Sequence, residues 1–200
     1  MRPPMRYQKA ATVSEAPRHT GGVAAVAFSP NGKFIASAGL DCKLCIWKAS
    51  DGNVVHIFVG ASAVLSLAWV SQDLLLCGMR DGSIAALAMT QLHAASFPRG
   101  HNFPVEHLAT DQGRLASGSH EELAVWERGS YGQWKHKLDL PHPPRNSNNG
   151  NREVLVTSIH WTKSKARASR LLVTYMYHGY VIYDTQEWRL LMTNTLNGFT

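Results

Sequence analysis

A fixed spacing runs through most of the chain. Val23-Ala-Ala-Val26-Ala-Phe28 returns as Val64-Leu-Ser-Leu67-Ala-Trp69, as Val105-Glu-His-Leu108-Ala-Thr110 and as Val156-Thr-Ser-Ile159-His-Trp161, at intervals of 41, 41 and 51 residues. A period of this length commits a chain to copies of one supersecondary unit that bury their apolar faces by stacking on one another. The third interval is one period plus an insertion. Asp41 to Trp47 is matched by Asp81 to Leu87 and by His120 to Trp126, while the fourth copy has His178-Gly179 and Tyr183, one residue short of that spacing.

The unit reads as strands. In the first copy an apolar run ends at Phe28, Ser29-Pro30-Asn31-Gly32 is a reverse-turn sequence, and Phe34 to Ser37 is a second short run. Pro30 presets φ for the turn, and Asn31 and Gly32 tolerate the bend. A helix here would carry Pro and Gly in its middle, at roughly 3 and 1 kcal/mol relative to Ala. Gly39-Leu40-Asp41-Cys42 breaks the chain again before Lys43 to Trp47, and Asp51-Gly52 before Asn53 to Phe58, so each copy supplies four strands.

Composition narrows the function. Apolar residues make up 44% and charged residues 17% of 200, ordinary for a globular domain, and no apolar run approaches the roughly 18 residues that would span a bilayer. The net charge of +6 permits nucleic-acid binding without demanding it. The basic start, Met1-Arg-Pro-Pro-Met-Arg, lacks the apolar segment of a secretory signal, and three cysteines form no framework; an intracellular setting, cytoplasmic or nuclear, is expected. Cys42 and Cys45 have CxxC spacing with no second pair, so no metal site is expected.

The repeats resemble those of the WD-repeat family, about 40–45 residues long with Gly-His near the start and Trp-Asp at the end. Gly100-His101 matches the first signature, Arg18-His19 stands in its place in the first copy, and Gly60-Ala61 has lost the histidine; Trp47-Lys48 and Trp126-Glu127 keep the tryptophan without the aspartate. The resemblance implies an all-β WD-repeat β-propeller of about four blades, partial and unclosed because the family most often closes with seven. It divides the chain into a basic tail over 1–18 with an outer strand at 8–13, and repeats at 19–59, 60–100 and 101–152. The third carries a Pro/Asn-rich insert at 141–152, a degenerate fourth repeat spans 153–197, and a further repeat opens at 198–200. Further blades or a second chain would complete the ring.

His19, Ser37, Asp41 and Trp47 would meet in space if the family geometry holds, and Ser, His and Asp together invite a hydrolase reading. The resemblance implies instead a buried hydrogen-bonded brace, and no nucleophile-elbow sequence such as GxSxG accompanies the serine. The third copy offers His101, Ser117 and Trp126, with His120 in place of the aspartate; the second keeps Asp81 but has Ala61 and Leu87. No catalytic residues and no cofactor are expected. The function expected is a non-catalytic scaffold presenting loops to proteins or peptides, with candidate contacts at Leu40, Arg80, Ser119 and Tyr177 by family analogy. A nucleic-acid or chromatin role is the alternative, with Lys163, Lys165, Arg167 and Arg170 as its basic cluster, although no aromatic residue is interleaved for base stacking.

Overall fold

At Ser29-Pro30-Asn31-Gly32 the Gly32 amide donates to the Ser29 carbonyl at 2.8 Å, and Ser29 Oγ bonds Asn31 Oδ1 at 2.8 Å. This turn closes the first of a series of hairpins. The computed structural model describes residues 19–90, 93–98, 100–144, 153–163 and 169–194. The expected strand at 8–13, most of the 141–152 insert, the middle of the 162–170 basic loop and the repeat opening at 198–200 lie outside them.

The described residues form sixteen strands and no helix. The first sheet holds β1 (Val23–Phe28), β2 (Phe34–Gly39), β3 (Lys43–Lys48) and β4 (Val54–Val59). The second holds β5 (Val64–Ser71), β6 (Leu74–Met79), β7 (Ile84–Ala88) and β8 (His93–Ser96). The third holds β9 (His107–Asp111), β10 (Arg114–Ser119), β11 (Glu122–Arg128) and β12 (Trp134–Asp139). The fourth holds β13 (Val156–Lys163), β14 (Ser169–Tyr175), β15 (Gly179–Asp184) and β16 (Leu190–Asn194). Each is an antiparallel meander in sequence order, so the described residues form a β-propeller arc of four blades. Ala25, Leu67, Leu108 and Ser158, on the first strands of the four blades, line one central cavity of about 290 Å³. The fourth blade's last strand starts at Leu190, two residues after Trp188, which has a positive φ of 55°.

Period-two alternation gives every blade two apolar faces, which we call leading and trailing. The trailing face of the first blade, with Ala36, Ala38, Leu44 and Ile46, packs on the leading face of the second, with Val64, Leu75, Cys77 and Leu87. Leu76 and Ile84 of the second meet Val105, Leu115 and Trp126 of the third. Ala116, Leu123 and Val125 of the third meet Val156, Ile159, Val173 and Tyr183 of the fourth. Small residues permit the approach: a Cβ on Gly118 would lie 2.8 Å from both Val156 Cγ1 and Ile159 Cδ1, and one on Gly78 would lie 2.7 Å from Val105 Cγ1.

Indoles cross the blade boundaries. Trp69 Nε1 donates to the Ala27 carbonyl at 3.3 Å and Trp161 Nε1 to the Ala109 carbonyl at 2.9 Å. The third and fourth blades are further tied by Arg114, whose guanidinium lies 4.6 Å from the Trp161 ring centroid and bonds Asp111 at 2.5 Å and Thr185 Oγ1 at 3.1 Å.

The arc is unclosed. Val26 and Phe28, the first blade's counterparts of Leu67 and Trp69, are 61% and 63% exposed, and Met192 on β16 is 47% exposed. Among the described residues, no strand lies over either surface.

Candidate functional site

The brace of the first blade is assembled from four places. His19 precedes β1, Ser37 lies on β2 and Trp47 on β3, while Asp41 sits in the turn between β2 and β3. His19 Nδ1 is 3.0 Å from Asp41 Oδ1, His19 Nε2 is 2.9 Å from Ser37 Oγ, and Trp47 Nε1 donates to Ser37 Oγ at 2.7 Å. The indole can only donate, so the serine oxygen accepts there and is held between the indole and the imidazole. Asp41 also accepts from the Thr20 and Lys43 amides, at 2.7 and 3.2 Å. Burial alone would raise the Asp41 pKa, but the bonds from His19, Thr20 and Lys43 outweigh it and hold the carboxyl well below its ordinary value.

A second brace occupies the third blade. His101 Nε2 is 2.7 Å from Ser117 Oγ and Trp126 Nε1 donates to Ser117 Oγ at 2.8 Å. The carboxylate here is Glu122, which meets His101 Nδ1 at 3.1 Å and the Asn102 amide at 2.9 Å. This corrects the reading that gave His120 the place of the aspartate. His120 instead stacks on Phe103, ring centroids 5.0 Å apart. Glutamate reaches the histidine from two positions further along, because its extra methylene spans what a turn aspartate spans in the first blade. The two braces differ in cover: Trp126 is 1% exposed beneath the second blade, whereas Trp47 is only half-buried on the uncovered leading face.

The other blades substitute for the brace. In the second, Cys77 and Leu87 take the serine and tryptophan places within the apolar cluster, and burial pushes the Cys77 thiol up to about 12. In the fourth, Val173 and Tyr183 take them, and Tyr183 donates its hydroxyl to the Pro141 carbonyl at 2.6 Å.

The candidate contact residues sit at one end of the blades, where the second and third strands of each blade are joined. Leu40 is 43% exposed and Arg80 is exposed, Tyr177 is half-buried, and Ser119 is fully buried. Burial removes Ser119 from any contact surface. The same end presents two side chains that the family pattern did not suggest, Phe103 at 45% and Met176 at 51% exposure. Their signal in the sequence is an apolar residue inside a turn, which strand periodicity passes over. The turns are pinned from within: the Leu40, Arg80 and Met176 amides donate to the Gly22, Ala63 and Leu155 carbonyls at 2.8, 2.9 and 3.0 Å.

Beside the third blade's brace lies a cavity of about 250 Å³, lined among others by His101, Glu121, Glu122, Trp126 and His136. No hydroxyl or thiol side chain lines it. Among the described residues, no group of three or more His, Cys, Asp or Glu is placed to hold a metal ion.

Known proteins align with this arrangement. The family model described as WD domain, G-beta repeat matches residues 11–48. The SIR4-interacting protein SIF2 of Saccharomyces cerevisiae is 31% identical over 74 residues, 36% of this chain and 14% of that protein. Telomerase protein component 1 of Rattus norvegicus is 29% identical over 119 residues, 55% of this chain and 4% of that protein. This chain therefore aligns with only a small part of either relative. Among solved structures, the computationally designed Ika4 protein superposes with a TM-score of 0.68 at 16% identity, over 90% of this chain and 99% of its own. U3-55K does so with a TM-score of 0.68 at 18% identity, over 88% of this chain and 52% of its own. The designed Ika8 protein gives 0.66 at 16% identity, over 90% and 51%.

Proposed function

We propose, from the premise that this chain belongs to the WD-repeat family, that it is a non-catalytic scaffold whose blade ends present a fixed set of apolar and aromatic side chains to partner proteins or peptides. The observation that carries this reading is the set Leu40, Phe103 and Met176, exposed at one end of the blades, two of them on turns pinned by backbone bonds. A turn already held in place loses little freedom when a partner docks, so more of the contact energy appears as affinity.

The residues that imitate a triad are engaged otherwise. Ser37 Oγ is held between the Trp47 indole and the His19 imidazole, and Ser117 is held in the same way. We read both sets as structural braces, since a serine oxygen so enclosed is not open to a substrate carbonyl. The contact end also carries Asp41, Asp81, Glu121, Glu122 and Glu153 against Arg80 and Lys43 among the described residues. That balance disfavours a phosphate backbone at this end and supports a protein partner, which is what the name of the SIR4-interacting relative states of that protein. Three free cysteines suit an intracellular setting.

The test is affinity purification from the source cell, comparing the wild-type chain with a Leu40→Ala, Phe103→Ala, Met176→Ala variant. Circular dichroism and Tm should be unchanged and a defined set of proteins lost from the variant. Retention of the same proteins, or their loss only on changing Lys33 and Arg128 at the opposite end, would overturn the assignment.

A further inference from the structure

At the end of the blades opposite Leu40, Phe103 and Met176, the first two blades part into a cleft. Phe34, the first residue of β2, is half-buried there against the apolar cluster between these blades. It lines two hollows, which therefore adjoin. One, of about 190 Å³, has Val55 and His56 of the first blade facing Asp73 and Met89 of the second. The other, of about 570 Å³, is an open basin on the first blade edged by Lys33, Lys48 and Ser50. The segments around both are fixed by their own bonds. The Ala49 amide donates to the Lys33 carbonyl at 2.9 Å and the Met89 amide to the Asp73 carbonyl at 2.8 Å. The Asn31 amide donates to Gln72 Oε1 at 3.2 Å and so ties the turns of the two blades together.

Charge is uneven along the cleft. Lys33 and Lys48 are both exposed, and none of the ion pairs among the described residues uses either of them. Asp51, in the same turn as Ser50, accepts from the Asn53 amide at 2.8 Å. The narrower hollow carries the opposite sign, in the exposed Asp73. A ligand that matches this surface places an apolar group against Phe34, Val55 and Met89 and an anion over the basin. The basin is too open to enclose a small molecule, whereas an extended peptide reaches both hollows with successive residues. No guanidinium lines the basin among the described residues to grip a phosphate by paired bonds, so the anion is a side-chain carboxylate.

We infer that this cleft is a docking site separate from the contact end, and that it takes an extended acidic segment of a partner protein. One large apolar side chain of that segment sits on Phe34 between Val55 and Met89, and a neighbouring Asp or Glu carboxylate meets Lys33 and Lys48. The segment runs with its acidic side away from Asp73. Burial of the apolar side chain supplies most of the affinity, and the lysines set the orientation and the rate of encounter.

Random short peptides displayed on phage are selected on the full chain, and synthetic copies of the survivors are measured by fluorescence anisotropy. The expected sequences place one Leu, Ile, Met or Phe beside an Asp or Glu. A Lys33→Glu, Lys48→Glu variant binds them about tenfold more weakly with circular dichroism and Tm unchanged, since both side chains are exposed. Asp73→Lys binds them about threefold more tightly, a gain that misfolding does not mimic. The Leu40→Ala, Phe103→Ala, Met176→Ala variant binds them as the wild type does, which tests this cleft apart from the contact end. Enrichment of no peptide, or of basic or uncharged ones, overturns the inference. So does affinity unmoved by the lysine reversal or by Asp73→Lys, or lost in the triple variant. Binding about tenfold tighter when phosphoserine replaces the carboxylate would assign the cleft to a phosphopeptide instead and overturn it too.

Discussion

The two braces share donors and acceptors but not cover, so one substitution should cost different amounts in the two. Ser117→Ala removes an oxygen that serves Trp126 Nε1 at 2.8 Å and His101 Nε2 at 2.7 Å in a fully buried place. Both ring nitrogens then lose the serine oxygen, at a place where Trp126 is 1% exposed. At about 1–3 kcal/mol for each buried hydrogen bond removed, partly relieved by local shifts, the loss is about 2–4 kcal/mol. For a chain of this size that lowers Tm by roughly 5–15 °C. Ser37→Ala removes the same bonds from His19 and Trp47, but the half-buried Trp47 indole can be rehydrated. The cost falls to the net worth of a hydrogen bond, about 1 kcal/mol, or roughly 2–4 °C. Urea unfolding followed by circular dichroism measures both. A Ser117→Ala, Trp126→Phe cycle should show coupling, since the phenylalanine ring has no N–H to orphan. Equal losses for Ser37→Ala and Ser117→Ala would refute the argument that burial, and not the hydrogen bonds themselves, sets the worth of the brace.

Three further outcomes follow from particular residues. Asp41 titrates below its ordinary value of about 4 in the folded chain, so its contribution to stability is fully present above that pH and is lost as pH falls through the depressed folded value. Tm plotted between pH 5 and pH 2 should therefore fall less steeply for Asp41→Asn than for the wild type. In the third blade, Glu122→Ala should lower Tm and His120→Ala should leave it nearly unchanged; the reverse order would return the carboxylate's place to His120. With a thiol reagent at pH 8, Cys42, which is partly exposed, should label in the folded chain. Cys77, buried and raised to about 12, should label only on unfolding, as read by mass spectrometry of the modified peptides.

The architecture was legible because its signal is redundant. Four copies of an apolar hexad, 41, 41 and 51 residues apart, with turn residues between them, state the same strand pattern four times, and any one degenerate copy is corrected by the others. The brace of the first blade was legible through the resemblance to the WD-repeat family, which implies that His19, Ser37, Asp41 and Trp47 meet in space, as they do here. The third blade's brace was not read correctly at its acidic end. Aligning the turns residue for residue puts His120 opposite Asp41, but His120 adopts a positive φ of 23° and directs its ring to Phe103, while Glu122 on the next strand reaches back. Side-chain length can move a function by two positions without moving the backbone, and a spacing rule has no access to that. Ser119 failed as a contact residue because its side chain is buried, where the same place in the first and second blades exposes Leu40 and Arg80.

What the brace contributes is clarified by the blades that lack it. The second blade packs Cys77 and Leu87 into the same space and stays buried, and the fourth uses Val173 and Tyr183 with the Arg114 guanidinium against Trp161 as an added tie. Replacing both partners of a buried hydrogen bond by apolar groups of similar size is close to neutral, whereas removing one is not. Loss of the brace as a set is therefore tolerated within this one chain, and loss of a single member is not expected to be. That asymmetry is what an internal support would show. A catalytic or ligand-contacting set would be lost along with its reaction or its partner, and no neighbouring apolar packing could stand in for it.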